Sequence, residues 1–377
     1  MKSYIQLMFF SVCANTAPAL AFAQSETTDE KSFSFHACYT GDLVSNFSGG
    51  IKTGTTYLGL ANLKAGFDTE KAGWWKNGEL FLNVGNTHGG EPSAKMVGDF
   101  QGVSNIEAGD LTFLYELWYR QKLANLTFTA GLQDLNANFA VSDNGGFFVN
   151  SSFGIHSSIA DNIPSPIFPL TALGFTAQWD ISEKFKWQAA VFDGTPDDYE
   201  NNPYNTEWKL SENDGLLCVT EFQLASSLLK GLDGCYKVGA YYHQHNDTIV
   251  KEQENYGFYF VADQMVYRKD SREVALFSQL GLSPKDKNFN NLYCGLGATC
   301  KGILDKRPND VVGIAVAYAG FHDRPVKNET ACELSYQLQI NDNIYLKPDI
   351  QYIIHPAGTE EKPDNALVGA LRLGVEF

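Results

Sequence analysis

Apolar and polar positions alternate with a period of two over several stretches of this chain. In Leu367 to Phe377 one parity carries Leu367, Gly369, Leu371, Leu373, Val375 and Phe377. The other carries Val368, Ala370, Arg372, Gly374 and Glu376. Charges confined to one face predict a half-buried strand. Leu173 to Trp179 and Phe185 to Val191 read as a hairpin around Asp180 to Lys184, with Trp179, Phe185 and Trp187 clustered beside the turn. A second pair, Phe113 to Gln121 and Leu126 to Gln133, turns at Ala124-Asn125, and sets Glu116, Trp118 and Arg120 against Phe113, Tyr115, Leu117 and Tyr119. A third, Cys332 to Ile340 and Tyr345 to Ile353, turns at Asn341-Asp342-Asn343. It places Glu333, Ser335, Gln337, Lys347, Asp349 and Gln351 opposite Leu334, Tyr336, Leu338, Ile340, Leu346, Ile350 and Tyr352.

The connections are unequal. Short turns alternate with long stretches, notably Thr87 to Asp110 and Asp134 to Pro169. Loops longer than about 15 residues point to a functional role in a compact domain. Abundant Gly (34) with Phe (26) and Tyr (18) far above Trp (6) and Met (4) suits strands and tight turns, so the chain is expected to be all-β. The formal charge of −16 repels phosphate backbones, so no nucleic-acid partner is expected.

Lys2, the apolar run from Tyr4 to Ala14 and the small-residue site Ala21-Phe22-Ala23 read as a secretory signal over residues 1–23, cleaved before Gln24. Asn15 and Pro18 interrupt that run, and no later segment holds the 18 consecutive apolar residues expected of a membrane-spanning helix. The exported chain is then either a soluble sandwich or a barrel that crosses a membrane with strands. In the sandwich the polar parity faces bulk water; in the barrel it lines a lumen. Strands of about 9–11 residues, aromatics beside the turns and unequal rims favour the barrel. The mature length divided by about 22 residues per strand and connection gives about 16 strands in one domain, with short periplasmic turns and long extracellular loops. The division expected is a signal over 1–23, an N-terminal extension over 24–40 and the barrel over 41–377.

Six cysteines follow the signal: Cys38, Cys218, Cys235, Cys294, Cys300 and Cys332. Cys294 and Cys300 share one parity of a strand, roughly 20 Å apart at about 3.3 Å per residue, too far for a disulfide. Most of the six read as small lipid-facing residues, with other pairings left open. The chain has no CxxC, so no metal is expected. It has no G-x-S-x-G, H-E-x-x-H or phosphate loop, so neither a catalytic residue nor a cofactor is expected, although His156 stands beside Ser157 and Ser158.

Several segments, in order, resemble the carbohydrate-selective porin family of bacterial outer membranes, of the OprB type. They are Val97 to Ala108, Leu114 to Tyr119, Gly131 to Asp134, Phe148 to Gly154, Ala262-Asp263-Gln264, Arg307 to Val311, Pro348 to Pro356 and Asp364 to Leu367. The terminal strand ending on Phe377 is similar to the signature of such barrels. The resemblance spans about Gly41 to Phe377, though the opening at Gly41-Asp42-Leu43 is less Trp-rich than the family's.

It implies a monomer-sized, 16-stranded outer-membrane barrel that lets sugars, typically monosaccharides such as glucose, diffuse passively into the periplasm. Its partners are then permeating sugars, outer-membrane lipids and an assembly machinery reading the strand that ends at Phe377. A general or mainly structural porin and a secreted sugar-binding sandwich are the alternatives.

A sugar offers hydroxyls and apolar ring faces, so a selective path needs polar groups beside aromatic rings rather than a ring of one charge. The lumen candidates are Glu116, Trp118 and Arg120 on one strand, and Lys347, Asp349, Gln351 and Arg372 on the last two. In the Asp134–Pro169 loop, expected to fold inward, they are Asn136, Asn138, Asn144, Phe147, Phe148 and Asn150. The plainer reading is that the charged pairs only solvate the wall and the two Phe rings only pack the loop.

Overall fold

Sixteen antiparallel strands close edge to edge in a computed structural model that describes residues 31–210, 214–229, 231–245, 254–359 and 362–377. The strands of the first half are β1 (Phe33–Gly50), β2 (Gly54–Asp68), β3 (Gly78–Gly89), β4 (Leu111–Leu123), β5 (Leu126–Gln133), β6 (Ala172–Asp180), β7 (Phe185–Asp193) and β8 (Leu216–Leu229). Those of the second half are β9 (Leu232–Gln244), β10 (Glu254–Lys269), β11 (Arg272–Leu282), β12 (Asn290–Lys301), β13 (Val311–Phe321), β14 (Asn328–Asn341), β15 (Ile344–Ile354) and β16 (Asp364–Glu376). Each strand pairs with its neighbours in sequence, and β1 pairs with β16 to complete the ring, Cys38 standing opposite Glu376. Closure leaves no edge strand with unpaired amides, which a hydrocarbon surround requires.

Outward positions along the strands are apolar, whereas inward ones mix polar side chains with apolar ones that are buried inside the barrel. On β16, Leu371 and Leu373 are exposed while Val368 and Arg372 are buried, as the parity predicts. The β14–β15 hairpin likewise exposes Leu334, Ile350 and Tyr352 and buries Glu333, Ser335, Lys347 and Gln351. One rim carries tight turns such as 124–125, 270–271 and 342–343, and the other the long connections 90–110, 134–171 and 194–215. At the turn rim Trp75 Nε1 donates to the Tyr119 hydroxyl (2.6 Å), and Trp74 and Trp75 rings lie 5.6 Å apart. Trp179, Phe185 and Trp187 flank the 181–184 turn of the same rim, the place of an interfacial aromatic girdle.

Two expectations change and one holds. The expected signal at 1–23 lies outside the described residues, but the wall begins at Phe33 rather than Gly41, since Phe33 to Thr40 pair with Phe67 to Leu60. On β4 the register with β3 slips between Asn83–Glu116 and Val84–Leu114. A bulge of this kind leaves a residue unpaired and turns its neighbours to the other face. Phe113 and Tyr115, expected opposite Glu116, are therefore buried on the same inner side. Most of the six cysteines face the lipid as expected: Cys218, Cys294, Cys300 and Cys332 point outward, Cys38 and Cys235 share the inward parity of Asp42 and Lys237, and all six are unpaired.

Candidate pore constriction

The two long connections 90–110 and 134–171 turn into the barrel and bond to its wall. Short helical turns shape the second: Leu135–Ala137, Gly145–Phe147, α1 (Ser151–Gly154) and α2 (Ser157–Ala160). Side chains start two of them, Asp134 accepting from the Asn136 amide and Asn150 from the Ser152 amide, as N-cap residues do. The loop then crosses the lumen. Ala140 N donates to Glu221 on β8 (2.8 Å), Asn144 N to Asp263 on β10 (3.0 Å), and Val149 N and Asn150 N to Glu333 on β14 (2.6 and 3.0 Å). Tyr293 on β12 donates to Ser152 O (2.7 Å). The 90–110 connection is held by Glu329, which accepts from Phe100 N and Gln101 N (2.7 and 2.9 Å), and by Asp42, which accepts from Ser104 Oγ (2.7 Å).

Apolar packing joins these bonds. Phe148 contacts Phe153 and Phe277 at ring distances of 5.1 and 5.6 Å. A Cβ added at Gly313 would stand 2.7–2.8 Å from the rings of Phe147 and Phe148, so β13 needs a glycine there for the loop to seat. Val44, Val97, Val103 and Val368 lie in the same cluster. Inward parity at this level therefore means a packed loop–wall core, not water.

The candidate residues divide accordingly. Phe147, Phe148, Asn150, Lys347, Asp349, Gln351 and Arg372 are buried. The Lys347 ammonium sits 4.3 Å from the centre of the Phe147 ring and donates to Phe147 O (2.5 Å). Asn150 Nδ2 donates to Gln351 Oε1 (3.2 Å), while Asp349 accepts from Ser335 Oγ and from Gln351 Nε2. Arg372 makes a two-pronged bond to Asp42 (2.7 Å each) and donates to Asn105 Oδ1 (2.7 Å). By contrast Asn136 and Asn138 remain half-buried on the loop surface, whereas the half-buried Asn144 turns its amide to the wall, donating to Asp263 (2.9 Å) and accepting from Thr299 (3.0 Å).

On the opposite wall Glu116 and Trp118 are buried as well, Arg120 is half-buried, and the three bond to one another. Trp118 Nε1 donates to Glu116 (3.2 Å), and the Arg120 guanidinium lies 4.2 Å from the centre of the Trp118 ring. The track extends through residues not picked out above: Asn62 donates to Asn83 (3.1 Å), Asn83 to Glu116 (3.4 Å), and Arg120 reaches Glu79 (3.4 Å) and Thr129 (3.3 Å). Phe81 stacks on Trp118 at 4.8 Å. Asn62, Asn83 and Phe81 share the inward parity of β2 and β3, a signal their sequence alternation carries. Their convergence with β4 does not show in sequence.

Burial in the loop also shifts its acids and base. Asp134 is raised to about 6 by burial, held back by bonds from the Tyr115 hydroxyl and the Asn136 amide. His156, buried between Tyr259 and Tyr293, is lowered to about 3 for the same reason.

Comparison with known proteins is consistent along the whole barrel. The sequence profile of the family described as "Carbohydrate-selective porin, OprB family" matches residues 52–377. Porin B of Pseudomonas aeruginosa is 26% identical over 92% of this chain and 88% of its own length. A putative porin QuiX of Acinetobacter baylyi is 22% identical over 94% and 91%. The high-pH structure of Pseudomonas putida OprB superposes with a TM-score of 0.82 at 21% identity, covering 92% of this chain and 94% of that one. Its low-pH structure gives 0.62 at 19% identity, over 96% and 100%.

Proposed function

The chain belongs to the carbohydrate-selective porin (OprB) family of the outer membrane, and from that premise we propose that its sugars pass along the β2–β5 wall, facing the inward loop. One observation carries this reading. The ring and polar groups of Asn62, Phe81, Asn83, Glu116, Trp118 and Arg120 bond along the wall, while the wall across the barrel is taken up by the loop. A monosaccharide such as glucose fits that track. The half-buried Arg120 and Glu79 and, from the loop, the half-buried Asn136 and Asn138 exchange hydrogen bonds with its hydroxyls, while Glu116, Trp118 and Phe81, buried behind Arg120, hold that guanidinium in place. Glu79 and Arg120 lie close enough to offset each other, so the track offers no single-sign ring for ions. Passage is passive diffusion.

Phe377 supports a second proposed partner. It exchanges backbone bonds with Ala37 (2.8 and 3.0 Å) while the residue stays 76% exposed. An assembly machinery could read that ring, with outer-membrane lipids around the finished wall. A hydrolytic role does not suit His156: its Nδ1 meets Ser158 Oγ at 2.9 Å, but its buried Nε2 has no acid among the described residues to orient it.

Liposome swelling tests the path. Trp118→Ala should slow glucose entry while leaving entry of a charged solute of similar size unchanged or faster. Equal swelling rates in wild type and variant would place the sugar path elsewhere.

A further inference from the structure

The loop is held from behind by acids. Glu221, Asp263 and Glu333 stand on three separate strands, all nearly inaccessible, and each accepts backbone amides from the segment 140–150. Asp263 takes four bonds: Ser142 Oγ (2.9 Å), Asp143 N (3.3 Å), Asn144 N (3.0 Å) and Asn144 Nδ2 (2.9 Å). Glu221 is itself fixed by Tyr259 (2.8 Å), Gln188 (3.0 Å) and Gln223 (2.7 Å). Two lysines alternate with them, Lys237 donating to Val141 O (2.6 Å) and Lys347 to Phe147 O. A carboxylate only accepts, so it suits a turn that offers successive N–H groups, and charge-assisted bonds of this kind are the strong ones.

We propose that Glu221, Asp263 and Glu333 are the positioning residues of the sugar constriction. They grip the loop chiefly by its backbone and so fix where Asn136 and Asn138 stand, without touching the solute. Selectivity is then set partly from the far wall. This rests on the reading that the 134–171 loop narrows the path.

The test uses the whole barrel in planar bilayers and liposomes. Asp263→Asn/Glu333→Gln keeps both side-chain shapes but replaces each charge with an amide whose N–H₂ faces loop N–H groups. Each charge-assisted bond lost should shift the balance from seated to unseated loop by about tenfold. Folded, heat-modifiable protein should form, its large-conductance openings should become more frequent, and its preference for glucose over a charged solute of equal size should fall. A lower unfolding temperature with unchanged conductance and preference would mean the acids only stabilise, and would overturn the proposal.

A loop-replacement variant, with residues 143–150 exchanged for a Gly/Ser linker, separates the two ideas. If it alters conductance and the double variant does not, the positioning role fails and the constriction stands. If neither alters it, the constriction reading fails and the proposal with it. Should the double variant not fold, Ser142→Ala removes one loop donor to Asp263, and unchanged preference there would also overturn the proposal.

Discussion

The walls β2–β5 and β8–β15 carry similar inward chemistry and use it differently. On the first, Asn62, Asn83, Glu116, Trp118 and Arg120 satisfy one another along the sheet. On the second, Glu221, Asp263, Glu333, Lys347 and Gln351 are satisfied by the loop. A polar inward residue is thus satisfied either by its neighbours on the wall or by the loop, and what decides is whether another part of the chain reaches it. Buried polar groups need partners wherever they sit, so the anchors make the loop's position as specific as a protein core.

Substitutions sharpen the contrast. The largest effect is expected at the loop-held seam, where Asp42→Ala strips Arg372 of its two-pronged partner and Ser104 of its acceptor. Breaking one side of a buried pair costs about 3–5 kcal/mol, so the heat-modifiable transition should fall sharply, and Asp42→Ala/Arg372→Met should recover part of it. No recovery would show that the cost lies in lost packing. Next, Leu371→Arg puts a cation on the lipid face at about 2–4 kcal/mol near the midplane and should lower the yield of inserted barrel. If yield holds, the outward face of β16 is wrongly placed.

On the β2–β5 wall, Arg120→Gln removes a half-exposed contact to Glu79 worth about 0–1 kcal/mol. Thermal unfolding should hardly move, while conductance shifts toward cations; unchanged ion selectivity would take Arg120 out of the path. The smallest effect is a pH term. The folded-state value of His156 is about 3 against an ordinary 6.5, so its contribution is present above 6.5 and is lost as pH falls toward 3. Asp134 runs the other way, being raised to about 6: its contribution is present at low pH and fades as pH rises through that value. His156→Phe should therefore flatten only the acid side of a loop-opening profile read from channel noise, and an unflattened acid side would exclude His156 as its source.

Much of this was readable from residues alone where the order is local. The parity of β14, β15 and β16 and the unequal rims follow from alternation and turn residues, as does the β6–β7 hairpin with its tryptophans. The bulge beside Tyr115 was not, because Phe113, Tyr115 and Glu116 look regular until the β3 register is known. Nor could alternation tell which inward residues meet water. Val368 has the parity of Arg372, but Val44, Val97 and Val103 from distant segments enclose it. The candidate site was legible as a set of residue types on the right faces. Its division into a self-bonded wall and a loop cradle depends on contacts between segments far apart in sequence, such as Val149 with Glu333.

The pairing of β1 with β16 has a kinetic side. The first strand finds its second neighbour only when the last is in place, so the ring closes through its most sequence-distant contact, the kind that forms slowly. Until then β1 and the newest strand both offer open hydrogen-bonding edges, templates for mispairing between chains. The seam therefore doubles as a completeness check: a chain that loses β16 is left with two sticky edges instead of a slightly smaller pore.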